Sequence, residues 1–330
     1  MTAPAASPAA PKRLAVTVTA REAIAEDVLQ IELRAADDAA ALPPFSAGAH
    51  IDVFLPAGLT RSYSLCNSPH ERGRYELGIL LDPASRGGSR SAHADLQPGR
   101  SIEISAPRNH FGLVPAPHSL LLAGGIGITP LLSMAEQLAC SEASFELHHC
   151  TRSLARTPYR DRIDRSAYAS RARLHLDDGP AAQRFDATQA LADAAPGSHL
   201  YVCGPQGFMD HVLGAARALG WSEERIHREY FSAAPLAAAA NDGSFRLRLA
   251  RSGRVVEVGA EQSAVQALAA QGITVPVSCE QGICGTCALR VLDGVPDHRD
   301  LWFSDAERAA NDRFTPCCSR ARCAELTIDL

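Results

Sequence analysis

Cys279, Cys284 and Cys287 fall within one short segment, CEQGICGTC, and Cys317 follows after a long gap. The C-x4-C-x2-C…C spacing is the ligand spacing of a plant-type [2Fe–2S] cluster. Three thiolates on one tight loop can wrap two irons, and a fourth closes the cage from a distant segment. Gly282 and Gly285 lie between the ligands, where glycine lets the backbone fold closely and aim N–H groups at the sulfurs. A structural zinc site would bring two Cys pairs, or Cys with His, at other spacings. A cluster of this kind carries one electron, so the rest of the chain should supply it.

The chain has 330 residues, enough for two or three domains, and its 46% hydrophobic content supplies sizeable cores. Net charge is −5, and no basic run carries interleaved aromatics, so no nucleic-acid partner is expected. Lys12 is the single lysine, which together with the alanine richness reads as base-composition bias. The N-terminal MTAPAASPAAPKR has no apolar h-region and no twin arginine, so residues 1–12 read as a disordered tail. No segment has the apolar length to span a membrane, and a cytoplasmic protein is expected.

From residue 13 to 114, segments such as Arg13–Ala20, Val28–Ala35, His50–Leu55 and Tyr75–Leu81 alternate or run apolar between Gly, Pro and Asp. They predict a small antiparallel β-barrel. From 115 to 231 the pattern changes. Apolar strands at Ser119–Ala123, Phe145–Cys150, Ala172–Leu176 and His199–Cys203 alternate with helical stretches such as Leu131–Leu138. That alternation predicts an α/β domain with a parallel sheet. SAAPLAAAANDG, 232–243, reads as a linker. Two strands, Phe245–Ala250 and Val255–Val258, a helix at Ser263–Ala270 and the cysteine loop follow, so 244–330 is a β-rich cluster domain.

Gly124, Gly125 and Gly127 separate a predicted strand from a helix, with Thr129 as expected N-cap and Pro130 at the first helical position. Backbone N–H groups there can hold a pyrophosphate. A second turn, Cys203-Gly204-Pro205, ends a later strand, and both turns should face one crevice because open α/β sheets bind ligands at strand C-terminal ends. Arg61-Ser62-Tyr63-Ser64 offers a guanidinium for phosphate, a ring to stack and a hydroxyl for a ring nitrogen. Arg86-Gly87-Gly88-Ser89 is a second anion cradle. Nicotinamide gives up two electrons as hydride, whereas the cluster accepts one. A flavin converts between the two, so chemistry and motif both call for one. Free cysteines and nicotinamide chemistry suit a reducing compartment.

RSYS, RGGS, AGGIGITP, YVCGPQGFMD, CEQGICGTC, PDHRD and the CCSR around Cys317 together resemble the phthalate dioxygenase reductase family, single-chain reductases of Rieske-type oxygenases. Vanillate demethylase reductases are similar. The resemblance implies a flavin barrel, a ferredoxin-reductase-like nucleotide domain and a C-terminal β-grasp ferredoxin domain. It also implies FMN, NADH and a [2Fe–2S] cluster as cofactors, and a terminal Rieske-type oxygenase as partner, with a monomer as the expected state. By position, Arg61 and Ser89 would bind FMN phosphate with Gly87 and Gly88. Tyr63 would pack on the isoalloxazine, with Ser62 in the same strand, and Ser64 would approach N5. Gly124, Gly125, Gly127 and Thr129 would meet the dinucleotide, Cys203, Gly204 and Pro205 would border the nicotinamide, and Glu229 would sit nearby. Phe231 would cover the flavin until nicotinamide displaces it.

The chain departs from the family where Thr151-Arg152 is followed by Ser153 rather than an acid, which leaves NADPH open beside NADH. Cys318 and Cys323 are expected to be inert. His298 is expected to be structural, and His148-His149, adjacent on a strand, should point to opposite faces and not form a paired metal site. The main alternative is an FAD-type reductase serving a ferredoxin, a diiron monooxygenase or a cytochrome. A second is a metal-stabilised binding module with degenerate cofactor turns.

Overall fold

The computed structural model describes residues 13–37, 41–83, 87–231 and 243–330. The expected tail at 1–12, Arg86 and nearly all of the expected linker lie outside the described residues. The chain falls into two compact units, 1–229 and 230–330.

The first unit holds two sheets. Six antiparallel strands make the first: β1 (Arg13–Ala25), β2 (Val28–Ala35), β3 (His50–Leu55), β4 (Leu59–Ser64), β5 (Tyr75–Leu80) and β6 (Ser101–Ser105). Their order is β4-β3-β6-β1-β2-β5, and a Leu65–Leu77 bridge joins the two ends into a barrel. Inward residues recur with period two, at Val16/Val18, Ile31/Leu33, Ile51/Val53 and Leu77/Ile79, all of them buried. β1 runs past its expected end at Ala20, with register shifts between Val18 and Ala20 and between Ala23 and Ala25. The helix α1 (Gly88–Asp95), an element the sequence pattern does not announce, follows Gly87 in the left-handed conformation, φ 91°.

The second sheet is parallel: β7 (Ser119–Gly124), β8 (Phe145–Thr151), β9 (Ala172–Leu176), β10 (His199–Cys203) and β11 (Ile226–Glu229). Helices α2 (Ile128–Cys140), α3 (Arg160–Asp164), α4 (Ala187–Ala192) and α5 (Gln206–Ala218) cross between them. All six residues of β7 are buried, as a central strand covered on both faces requires. The order β11-β10-β7-β8-β9 reverses direction between β7 and β10, which opens a switch-point crevice at their C-terminal ends.

A buried ionic link ties the barrel to the α/β layer. Glu76 of β5 accepts from Arg162 of α3 at 2.6 Å and from Arg74 at 3.1 Å. Cys66 sits 3.1 Å from the Tyr159 hydroxyl, which abuts Gly78 of β5.

The second unit is β-grasp in type. Its sheet order is β13-β12-β18-β14-β16, from β12 (Phe245–Leu249), β13 (Val255–Val258), β14 (Leu289–Asp293), β16 (Arg313–Phe314) and β18 (Glu325–Ile328). β15 (Pro296–Asp297) pairs with β17 (Arg320–Ala321). The helix α6 (Ala264–Ala270) carries a Ser263/Gln266 capping box, and α7 (Asp305–Ala310) one of Ser304/Glu307. The cysteine loop lies between α6 and β14.

Candidate functional site

At the barrel, Arg61 and Gly88 meet: a methyl group at residue 88 would overlap the Arg61 side chain at Nε. Glycine there lets the guanidinium lie across the first turn of α1, beside the left-handed Gly87. The α1 N-terminus and Arg61 thus lie together, two sources of positive potential at one place. Ser89 Oγ accepts from the Asp82 amide at 3.1 Å, which fixes the entry to the helix. Ser62 lies opposite Asp52, on the face away from Ile51 and Val53, and donates to the buried Asp52 at 2.7 Å, where Arg108 also pairs at 2.5 Å. The aromatic Tyr63 is half-buried, and burial pushes its phenol up to about 12. Ser64, at the end of β4, donates to Glu229 Oε2 at 3.2 Å.

That bond crosses from the barrel to the parallel sheet. Glu229 ends β11 and pairs in register with Cys203 of β10. Burial pushes the Glu229 carboxyl up to about 8, although the Ser64 hydroxyl pulls it down. Burial first, and then Glu229, pushes the Cys203 thiol well up, so it stays protonated. Ser64, Cys203 and Glu229 are thus brought together as three uncharged polar groups at neutral pH.

The two glycine turns touch. A methyl at Gly127 would overlap the Cys203 carbonyl, and one at Gly204 would come 2.9 Å from Gly124 Cα. Phe208 of α5 packs against both Gly124 and Gly204. Pro205 is exposed and precedes α5 as its N-cap. His148 and His149 do point to opposite faces: His148 Nδ1 meets His175 Nε2 at 3.0 Å, and His149 Nε2 meets the Gly125 carbonyl at 3.1 Å.

Thr129 corrects the sequence reading. A 3-10 turn over Gly125–Gly127 starts the helix early, and Gly127 is the N-cap of α2. Thr129 therefore lies inside the first turn, donates to the Ile126 carbonyl at 3.1 Å and presses its methyl toward Gly78 of the barrel. It is buried. Pro130 consequently falls two places past the first helical position.

Thr151 is buried, with its hydroxyl 2.7 Å from that of Thr157, while Arg152 is exposed. Sequence reading missed their neighbours. The Asp177 and Asp178 amides, just past β9, donate to the Thr151 and Arg152 carbonyls at 3.0 and 3.2 Å. The acidic pair follows directly on the Ala172–Leu176 strand, and that was the available signal. Phe231 belongs to the second unit, where it is 37% exposed.

In the second unit the four ligand candidates pair two and two. Cys279 hydrogen-bonds Cys284, and Cys317 hydrogen-bonds Cys287. The Cys279 thiol holds its proton and so lowers Cys284, whereas the bond to Cys287 raises Cys317 to about 12. Among the described residues no three His, Cys, Asp or Glu side chains group as a single-ion site. Two pairs of thiols match in number the two protein ligands that each of two irons takes. Gly282 and Gly285 are left-handed, φ 73° and 66°. A methyl at Gly282 would overlap Cys318 Sγ, and one at Gly285 would overlap the Trp302 indole. The buried Asp300 accepts from the Phe303 amide at 2.8 Å, and the Leu301 amide donates to the Gly282 carbonyl at 2.9 Å. This brace holds the loop open around the thiols. The residues present fit the cluster.

Barrel, switch-point crevice and paired thiols define a single-chain flavin and [2Fe–2S] oxidoreductase. Comparisons agree. Residues 15–112 match the oxidoreductase FAD-binding domain, 247–322 the 2Fe-2S iron-sulfur cluster binding domain, and 110–226 the N-terminal domain of dimethylamine monooxygenase subunit DmmA-like proteins. The chain is 52% identical over 316 residues to a vanillate O-demethylase oxidoreductase of Pseudomonas sp. (strain HR199 / DSM 7063), covering 96% of this chain and 99% of that one. It is 39% identical to the phthalate dioxygenase reductase of Burkholderia cepacia, over 96% and 97% of the two chains. A solved phthalate dioxygenase reductase, described as modular for electron transfer from pyridine nucleotides to [2Fe–2S], superposes with a TM-score of 0.73 at 38% identity, over 96% and 98%. The chain belongs to the phthalate dioxygenase reductase family of flavin and iron–sulfur oxidoreductases. No helix among the described residues is long and apolar enough to cross a membrane.

Proposed function

We propose that the chain is the NADH-dependent reductase component of a Rieske-type oxygenase or demethylase, with FMN on the barrel. The observation that carries this is the Ser64–Glu229 bond. It joins the flavin strand to the switch-point crevice beside Cys203, so the two redox partners would meet there. When bound, a flavin accepts hydride from reduced nicotinamide and passes electrons singly to a [2Fe–2S] centre. The chain's own residues bind, orient and exclude water. Arg61, Gly87 and Gly88 would hold the flavin's phosphate. Tyr63 would flank the ring, Ser64 would offer its hydroxyl to a ring nitrogen, and Phe231 would cover the ring. Gly124, Gly125 and Gly127 would admit the dinucleotide, with Gly204 leaving room beside it. Asp177 and Asp178 stand beside Thr151 and Arg152, where their charge would accept ribose hydroxyls and oppose a 2′-phosphate. They would supply the acid that Ser153 does not. Cys279, Cys284, Cys287 and Cys317 would ligate the cluster.

The vanillate and phthalate relatives favour an oxygenase acting on an aromatic acid or aryl ether as electron acceptor. A cytoplasmic monomer is part of the same reading. An anaerobic NADH titration followed by visible absorption and low-temperature EPR tests it. Bleaching of both chromophores with a rhombic [2Fe–2S] signal is expected. Reduction by NADPH alone would overturn the nucleotide assignment, and no reduction would overturn the function. The mass of the extracted flavin separates FMN from FAD.

A further inference from the structure

We propose that His149 is a positioning residue for the nucleotide turn: its imidazole holds the Gly125 carbonyl to one side and so aims the Ile126 N–H at the bound dinucleotide. This rests on the nicotinamide reading of the crevice given above.

The turn has a conformational problem that glycine creates. Gly125 is left-handed, φ 54°, and no heavy atom lies within 4 Å of where its Cβ would stand. Glycine accepts either hand at little cost, so residue 125 itself gives the peptide between 125 and 126 no preferred orientation, and the bonds to its carbonyl must supply one. That peptide is trans, as are all in the described chain, so its carbonyl and its N–H point in opposite directions. Whatever holds the carbonyl therefore decides where the Ile126 N–H points. The carbonyl accepts two bonds. One comes from the Ile128 amide within the same turn. The other comes from outside it, from His149 Nε2 at 3.1 Å, on β8 beside β7.

The ring is set up to do only this. A carbonyl accepts and does not donate, so Nε2 must carry the proton. Burial pushes the His149 imidazole down to about 4, so it is neutral at pH 7 and Nδ1 is a bare acceptor. His149 is 3% exposed, and its Nδ1 is buried with no hydrogen-bond partner among the described residues. His149 also lines a cavity of about 40 Å³ together with Leu147, Thr157 and Arg160. With Nδ1 buried and unpartnered, the proton stays on Nε2, the tautomer that the Gly125 bond requires.

The test uses the holoprotein and two variants. His149→Phe keeps a ring and removes the donor. His149→Gln keeps an N–H donor on a side chain of similar reach. Flavin and iron contents check folding. The KM for NADH is read in ferricyanide reduction, and the limiting rate of flavin reduction by anaerobic stopped flow. Expected is a KM raised about tenfold in His149→Phe, the scale of one neutral hydrogen bond. The limiting rate should change less than twofold, and His149→Gln should recover most of the KM. An unchanged KM in His149→Phe, or equal losses in both variants, overturns the proposal. In the wild-type protein, ¹⁵N shifts of the His149 ring should report a neutral, Nε2-protonated imidazole at pH 7. A cationic or Nδ1-protonated ring overturns it without reference to any variant. If NADH does not reduce the wild-type protein, the nicotinamide reading fails; if it does and the variants behave as wild type, only the role of His149 fails.

Discussion

Glu229→Gln should stabilise the first unit at neutral pH and remove a specific slope from its pH dependence. The Glu229 carboxyl is raised by burial from 4.5 to about 8 in the folded chain. An acid raised on folding costs nothing where both states are protonated, below about 4.5. Above that the unfolded chain ionises first, and stability is lost as pH rises through the folded value. Integrated over that window, the cost is about 3 kcal/mol at pH 7 and on the order of 5 kcal/mol above pH 9. Glutamine keeps an acceptor for the Ser64 hydroxyl and cannot ionise, so the variant avoids the cost. The assay is urea unfolding at fixed flavin concentration, followed by Trp221 fluorescence in a Trp302→Phe background, since Trp221 and Trp302 are the two tryptophans. The variant-minus-wild-type free energy should be flat below pH 4.5, climb by about 1.4 kcal/mol per pH unit, and level off near pH 8. A flat difference from pH 5 to 8 would refute the reasoning, because Glu229 would then ionise as freely when folded as when unfolded. If the acid also serves the flavin–nicotinamide site, the same variant should lose rate while gaining stability.

Cys317→Ser should abolish the [2Fe–2S] EPR signal, whereas Cys318→Ser should retain it, since Cys317 completes the ligand spacing while Cys318, though it bonds Cys317, packs behind Gly282 against the Thr315 hydroxyl. Gly127→Ala, whose methyl would overlap the Cys203 carbonyl, should bind flavin normally but resist NADH reduction in the visible titration. Arg162→Met leaves the buried Glu76 carboxylate with Arg74 alone and should cost about 3–5 kcal/mol in urea unfolding, while Arg162→Met combined with Glu76→Met should recover much of that loss. Ser263→Ala, which removes the N-cap of α6, should cost about 1 kcal/mol by thermal unfolding of the second unit.

The readings that came directly from the sequence are those in which chemistry dictates local spacing. Four cysteines around a binuclear cluster, glycines where backbone approaches a ligand, and alternation with period two or with a crossover helix all leave marks within a short window. The readings that failed or were missed depend on strand order. Asp177 and Asp178 gain meaning only because β9 lies beside β8. The nearness of Cys203 and Glu229, expected from the family resemblance alone, arises because β11 joins β10 at the sheet edge. Thr129 was misplaced because Gly125–Gly127 winds as 3-10 and moves the helix start, which no residue preference announces.

One division recurs at every site. At four glycines of the proposed cofactor sites, the space a side chain would take is filled by a group from another part of the chain. Arg61 lies on Gly88, the Cys203 carbonyl on Gly127, Cys318 and Asp300 on Gly282, and Trp302 on Gly285. Glycine gives the approach and, by the same freedom, gives no reason for the turn to hold its shape. The brace supplies that reason. The glycine half is local and legible in the sequence. The brace comes from residues 17 to 76 positions away, and for Gly125 it is a histidine on the next strand. A bulkier residue at any of these glycines should therefore do harm twice, by blocking the redox group and by displacing its brace. A smaller residue at the brace should free the turn while leaving the approach open.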